Sequence, residues 1–452
     1  MNSGAKYSDS VTDTTYERKH KMLHPNLGIN ENGNLTIGGA DTVEIAKEYG
    51  TPAYVLDLDM IRTQMRMYYN TLTECFGSTA IPLYASKALS FKHVYSISAE
   101  EKLGIDCVSP GEIYTAHSAG FPMERAYFHG NNKTDADLKF AIECGVGTIV
   151  VDNEDELYSL DRIARDKGIS QRILLRITPE VDPHTHKAIM TGNVDSKFGS
   201  PISTGQAKAI VEKAIAAKNI DLVGVHAHIG SQIFDTDPFT TAAEIMIKFI
   251  ARINEECGYL LRELNLGGGF GVRYVEEDEH IDIVANIKAI ANEINKICAE
   301  KNITRPKIMF EPGRSLVAAA GLTLYTVGSV KTVPGFRNYV SIDGGMPDNP
   351  RYALYGSKYT ALIANKASQP ADYECTLAGR CCESGDLIGE GMKIQTPERG
   401  DIAAVLVTGA YNYSMASNYN RIPRPPIVAV EAGKTRLVVK RESYEDLTKN
   451  EL

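Results

Sequence analysis

Between residues 81 and 310 the chain carries eight short β-rich runs separated by helical patterns, and few folds accept that rhythm. The predicted strands are Ile81–Ala85, Gly104–Val108, Ala126–Phe128, Thr148–Val151, Arg172–Ile177, Leu222–Ala227, Glu263–Leu266 and Lys307–Phe310. Between them the apolar spacing predicts helices, as over Pro110–Ala119, Thr134–Cys144, Glu154–Lys167 and Pro238–Cys257. Strands that alternate with helices pair in parallel, and eight is the number that closes a (β/α)8 barrel of the TIM type. An open doubly wound sheet is the alternative, but it rarely needs eight strands so evenly spaced.

After about residue 316 the rhythm changes to strands joined by turns with few helices. These are Leu322–Val333, Asn338–Ile342, Tyr373–Leu377, Asp401–Val407, Ile427–Val430 and Thr435–Lys440. The pattern predicts a C-terminal antiparallel β domain, a barrel or sandwich, that includes the segment before the barrel. The expected division is a β/α barrel over 58–315, a discontinuous β domain over 25–57 plus 316–446, and a polar, flexible extension over 1–24.

A net charge of -9 over 452 residues, without a long basic run, argues against nucleic acid as a partner. No stretch reaches the length of a membrane span, and the first residues lack an apolar signal core. The eight cysteines are scattered and form no C-x-x-C pair, which suits reduced thiols and a cytoplasmic location better than a disulfide framework or a zinc site.

Barrel chemistry sits where strands end, and here the strand ends are polar. Lys87 follows the first strand, Asp106 ends the second, His129 follows the third, Asp152 the fourth, and Arg176 lies in the fifth. His226 and His228 end the sixth, Gly267-Gly268-Gly269 follows the seventh, and Glu311-Pro312-Gly313-Arg314 follows the eighth. Singly, each reads as a cap or turn residue; together on one rim they read as a site. Lys87 in partly apolar surroundings is a candidate Schiff-base lysine, its pKa expected to fall with desolvation, although its own segment read alone favours a surface lysine. The glycine cluster and the Ile229-Gly230-Ser231-Gln232 turn offer backbone donors to a phosphate, while G-x-G-x-x-G and Walker patterns are absent. Pyridoxal 5'-phosphate needs an imine lysine, phosphate donors and a carboxylate at its ring nitrogen. Lys87, Ser231 with the glycine loop, and Glu311 meet those needs, with His228 placed to stack on the ring. A metal-dependent barrel hydrolase built on His226 and His228 is a distant alternative; no metal is expected. His184 and His186 fall in a polar loop and read as solvated or structural.

The segments Tyr84-Ala85-Ser86-Lys87, His228–Gln232, Gly267–Gly269 and Glu311–Arg314 resemble the fold-type III pyridoxal-phosphate decarboxylases. Further support comes from Asp195–Gly199, Gly345–Tyr355, Cys382-Glu383-Ser384-Gly385-Asp386 and Gly409–Asn420, so the resemblance spans about residues 25–440. Arg380-Cys381 departs from the Gly-Pro that often precedes the cysteine, and the charged tail departs as well. Within the family the pattern is that of members that decarboxylate meso-2,6-diaminopimelate to L-lysine and CO2.

The resemblance implies that Lys87 binds the cofactor covalently and Glu311 pairs with its ring nitrogen. Asp106, His228, Ser231, Gly269, Gly313, Arg314 and Tyr411 join the cofactor site. Arg314, Arg351, Tyr355, Glu383 and Tyr411 would recognise substrate, and Cys382 would return the proton after CO2 leaves. It also implies a homodimer in which Cys382 and Glu383 reach the partner's site. The nearest rival is a related decarboxylase acting on D-ornithine, D-lysine or a carboxylated polyamine; such substrates would not need Arg314 and Arg351 together.

Overall fold

The computed structural model describes residues 22–182 and 195–452. His184 and His186, and most of the N-terminal extension, lie outside the described residues.

Eight parallel strands close into a barrel: Ile81–Ala85, Gly104–Cys107, Ala126–Phe128, Thr148–Val151, Gln171–Thr178, Ile220–His226, Glu263–Asn265 and Lys307–Phe310. Each pairs with the next, and the last returns to the first through Met309↔Ile81 and Phe310↔Pro82. The helices between them follow local rules. Over Glu154–Lys167, the Asn153 side chain caps the first turn and acidic residues occupy it. Arg165 and Lys167 sit in the last turn, and Gly168 ends the helix in the left-handed region at φ 68. Its buried face is Leu157, Leu160, Ile163 and Ala164, set against the barrel.

The barrel interior explains where the chemistry can be. Leu83, Tyr127, Val150, Leu174, Val223 and Met309 form a separate apolar plug contributed by six of the eight strands. The second strand supplies Gly104 there, where a Cβ would lie 2.5 Å from Leu83 Cδ2. Side chains on a strand share a face every second residue, so the next inward positions follow directly. They are Ala85, Asp106, His129, Asp152, Arg176, Asn265 and Glu311. The sixth strand carries a register shift between Leu222 and Gly224, which brings His226 to the same level, opposite Arg176 and Asn265. A ring of polar side chains therefore caps a dry plug.

The second sheet is built on Gly321–Val333, which pairs antiparallel with Arg337–Ile342, Ile402–Leu406 and Ala53–Asp57. Ala53–Asp57 thus joins a strand far away in sequence. The sheet is mixed, since Arg337–Ile342 pairs parallel with Tyr373–Ala378 and Ile427–Glu431 pairs parallel with Ala53–Asp57. Two strands of this sheet escape the sequence reading: Ala361–Ile363 and Leu387–Ile394. The sheet domain also docks on the barrel mouth. Tyr411 N–H donates to Ala88 O at 2.7 Å, one residue from Lys87, with Tyr411 itself at φ 59.

Candidate active site

The polar ring opens into a cavity of about 430 Å³, a size suited to a small organic cofactor. Of the thirteen residues expected to serve the site, eleven line it: Lys87, Asp106, His228, Ser231, Gly269, Glu311, Gly313, Arg314, Arg351, Tyr355 and Tyr411. Cys382 and Glu383 do not. Cys382 is exposed, its N–H donating to Asn420 Oδ1 at 2.8 Å, and Tyr419 OH donates to Glu383 Oε2 at 3.4 Å.

Lys87 sits in a single 3-10 turn, Ser86–Ala88, directly after the first barrel strand. Ser86 anchors that turn: its hydroxyl oxygen lies 2.6 Å from Asp106 O and 2.8 Å from Glu112 Oε2, and its single proton serves these two oxygens. The expectation that desolvation lowers the Lys87 pKa is not met. Burial does oppose its charge, but Tyr411, Asp106 and Glu311 outweigh it and raise the pKa above the ordinary value.

Glu311 lies at the centre of the ring. Its Oε2 is 3.1 Å from His226 Nε2, and its Oε1 accepts from Asn265 Nδ2 at 2.7 Å and lies 2.8 Å from His129 Nε2. Burial disfavours its ionisation, yet the two imidazoles hold the carboxyl well below the usual range. Asp106 goes the other way, raised by burial. His228 is pushed well down by burial and by Lys87 and Arg176, so it is neutral, and its Nδ1 accepts Gly268 N–H at 3.3 Å.

The glycine loop is required by close backbone approach. A Cβ on Gly268 would fall 2.1 Å from Glu311 O, and one on Gly269 would fall 2.6 Å from Gly230 O. Beside it Arg314 donates through Nε and Nη2 to Ser231 Oγ at 3.3 Å and 3.1 Å, and through Nη1 to Tyr274 OH at 2.7 Å. Arg351 stacks near Tyr355 and Tyr411, and its buried Nε has no hydrogen-bond partner among the described residues.

Three further buried atoms of the ring lack partners among the described residues: Asp106 Oδ1, His129 Nε2 and His226 Nδ1. Unpaired buried polar atoms are costly, so their convergence on one cavity marks a place for a polar ligand. His129, His226 and Glu311 also bring potential metal-ligand atoms within 4.8 Å of one another, a trio that includes His226 but not His228. His129 and Arg176 are legible in the sequence as strand-end residues without a role, and His226 only as a ligand of the distant metal alternative, whereas Tyr274 carries no such signal. Asn265 was readable as the inward position two beyond Glu263.

A closed barrel with a cofactor-sized polar mouth, a covalent-capable lysine and a glycine cradle defines a pyridoxal-dependent enzyme of the barrel type. The family described as "Pyridoxal-dependent decarboxylase, pyridoxal binding domain" matches residues 58–318. The chain is 48% identical over 420 residues to a diaminopimelate decarboxylase of Bacillus methanolicus, covering 93% of this chain and 97% of that protein. It is 47% identical over 431 residues to the diaminopimelate decarboxylase of Bacillus subtilis, covering 95% and 98%. Among solved structures, the diaminopimelate decarboxylase of M. jannaschii in complex with L-lysine superposes with a TM-score of 0.87 at 32% identity, covering 96% of this chain and 99% of that one. The chain belongs to the diaminopimelate decarboxylase family. Its cofactor is pyridoxal 5'-phosphate, and the unpaired ring atoms and glycine cradle fit that group.

Proposed function

We propose that this protein removes one carboxyl group from meso-2,6-diaminopimelate, giving L-lysine and CO2. The observation that carries the reading is Arg351, in the same cavity as Lys87 and Glu311, whose buried Nε has no hydrogen-bond partner among the described residues. A substrate with two amino-acid ends must be gripped at one while the other reacts, and an arginine fork suits a distal carboxylate. The relatives named for this substrate, and a solved relative that holds L-lysine, support it.

When bound, pyridoxal phosphate supplies the electron sink that stabilises the carbanion left by CO2. The protein's own groups do the rest. Lys87 would provide the amine that holds the cofactor covalently, and Glu311 would meet its ring nitrogen. His228 would pack against the ring, and Asp106 would contribute to the polar lining beside it. Ser231, Gly269, Gly313 and Arg314 would hold the phosphate, with Tyr411 closing the cavity from the sheet domain. Arg351, Tyr355 and Arg314 orient the substrate.

Cys382 and Glu383 stand outside their own cavity, which supports a homodimer in which each subunit lends them to its partner's site. There the Cys382 thiol gives up the proton that replaces CO2, and Glu383 faces the distal ammonium. All eight cysteines are unpaired, and among the described residues no helix is long and apolar enough to cross a membrane. Both facts support a place in the reducing cytoplasm.

Subunit mixing tests the reading. Lys87→Ala and Cys382→Ala are each expected to be inactive alone. Mixed, they should regain activity, because one site of the hybrid has both groups. No recovery in proven hybrids would exclude shared sites. Faster CO2 release from D-ornithine than from meso-diaminopimelate would overturn the substrate.

A further inference from the structure

Glu311 is enclosed by side chains from three barrel strands. His226 Nε2 lies 3.1 Å from Oε2, Asn265 Nδ2 donates to Oε1 at 2.7 Å, and His129 Nε2 stands 2.8 Å from that same Oε1. The orientation of Asn265 is forced. Its Oδ1 accepts Gly267 N–H at 2.9 Å, which leaves only the NH2 group to face Glu311. The two imidazoles lock each other, their centroids 4.7 Å apart and their planes at 74°. All three side chains are buried, and none has a role in the reaction as set out above.

A carboxylate offers about four lone-pair sites. Asn265 donates to Oε1, the His129 ring covers the rest of Oε1 at 2.8 Å without hydrogen-bond alignment, and His226 takes one site on Oε2. One site on Oε2 remains. Without these neighbours, burial alone would drive Glu311 toward its neutral acid, which cannot hold a proton on a pyridine nitrogen. His226 acts here as a neutral donor, since burial brings its pKa down to about 4.

We propose that His129, His226 and Asn265 are positioning residues for the ring nitrogen of the cofactor. They hold Glu311 as an anion and leave it one free lone pair, on Oε2, for a ring N–H. The inference rests on the reading that Glu311 meets that nitrogen, and it assigns the electronic state of the cofactor to three residues that need not touch it.

The test is the nitrogen-15 resonance of holoenzyme reconstituted with ring-labelled pyridoxal phosphate, which separates a protonated from a bare ring nitrogen without any turnover. Wild type should show the protonated form at neutral pH. His226→Phe and His129→Phe keep an aromatic ring in place and remove the nitrogens. Each should move the resonance toward the bare form, and His226→Phe, which loses a charge-assisted hydrogen bond, should weaken cofactor binding at least about tenfold. His226→Gln, which retains a donor, should restore the wild-type resonance. If a Phe variant does not fold, the Leu variant at that position carries the same expectation.

Glu311→Gln separates the two levels of the argument. A wild-type resonance in Glu311→Gln would defeat the reading that Glu311 meets the nitrogen. A shifted resonance there, with unchanged resonances in the folded histidine variants, would overturn this inference alone.

Discussion

Arg314 is tied to Ser231: its Nε and Nη2 both donate to the Ser231 hydroxyl, at 3.3 Å and 3.1 Å. The contact joins the turn after the eighth barrel strand to the turn after the sixth, and it orients a cation toward the glycine cradle. Ser231→Ala should therefore weaken the cofactor twice, by removing a donor and by freeing the arginine. A hydrogen bond to a charged group contributes about 1.5–3 kcal/mol, so retention should fall roughly tenfold to a hundredfold. Spectroscopic titration of apoenzyme with pyridoxal phosphate measures it; unchanged affinity would remove Ser231 from the phosphate site.

Arg351 has the opposite problem, a buried Nε with no hydrogen-bond partner among the described residues. A substrate carboxylate would relieve it. Arg351→Lys keeps the charge but loses the fork, and should raise KM for meso-diaminopimelate about tenfold to a hundredfold while leaving the visible spectrum of the cofactor unchanged. A shifted spectrum with an unchanged KM would place Arg351 on the cofactor instead.

The barrel and its polar rim were legible because both follow from strand periodicity. Apolar runs such as Thr148–Val151 are buried throughout, and the position two beyond Val150 is Asp152. Glu311 stands in the same relation to Met309. Other features depend on distant partners. The high pKa of Lys87 comes partly from Tyr411, which arrives from the sheet domain more than three hundred residues later. The strand Leu387–Ile394 contains Gly389 and Gly391 among charged residues, so its alternation is broken, and it forms only by pairing with Tyr373–Ala378. The parallel pairing of Ala53–Asp57 with Ile427–Glu431 has no local signal at all.

Below the rim, Lys133 and Glu156 form a buried ion pair at 2.7 Å, and Lys133 Nζ also donates to Gly130 O and Val150 O. Breaking such a pair strands a charge without water. Lys133→Met should cost about 3–5 kcal/mol in urea unfolding, and the Lys133→Met/Glu156→Leu double variant should cost less than Lys133→Met alone. A double variant less stable than the single would show that Glu156 supports the fold without Lys133, by accepting Asp152 N–H, and that the ion pair does not carry the stability.

Asp348 gives a pH dependence of known sign. It is fully enclosed in the sheet domain, where its Oδ1 accepts Gly345 N–H at 3.0 Å and Tyr325 OH donates to its Oδ2. Burial, with Asp386 and Asp343 nearby, lifts its pKa to about 7 in spite of those hydrogen bonds. In the unfolded chain an aspartate titrates near its ordinary value of 3.8. The folded state therefore holds this proton more tightly than the unfolded state. The resulting stability is complete below the unfolded pKa and is lost as pH rises through the folded one. Each pH unit in that window costs at most about 1.4 kcal/mol from this group. Wild type should thus lose more stability than Asp348→Asn between about pH 5.5 and about pH 8.5, because the amide has no proton to release. Because the segment that holds Asp348 leads directly into the short helix Arg351–Tyr355, the loss should extend to a rise in KM at the alkaline end. Urea midpoints measured for both proteins across that range decide it: parallel pH profiles would show that Asp348 is already ionised in the folded protein.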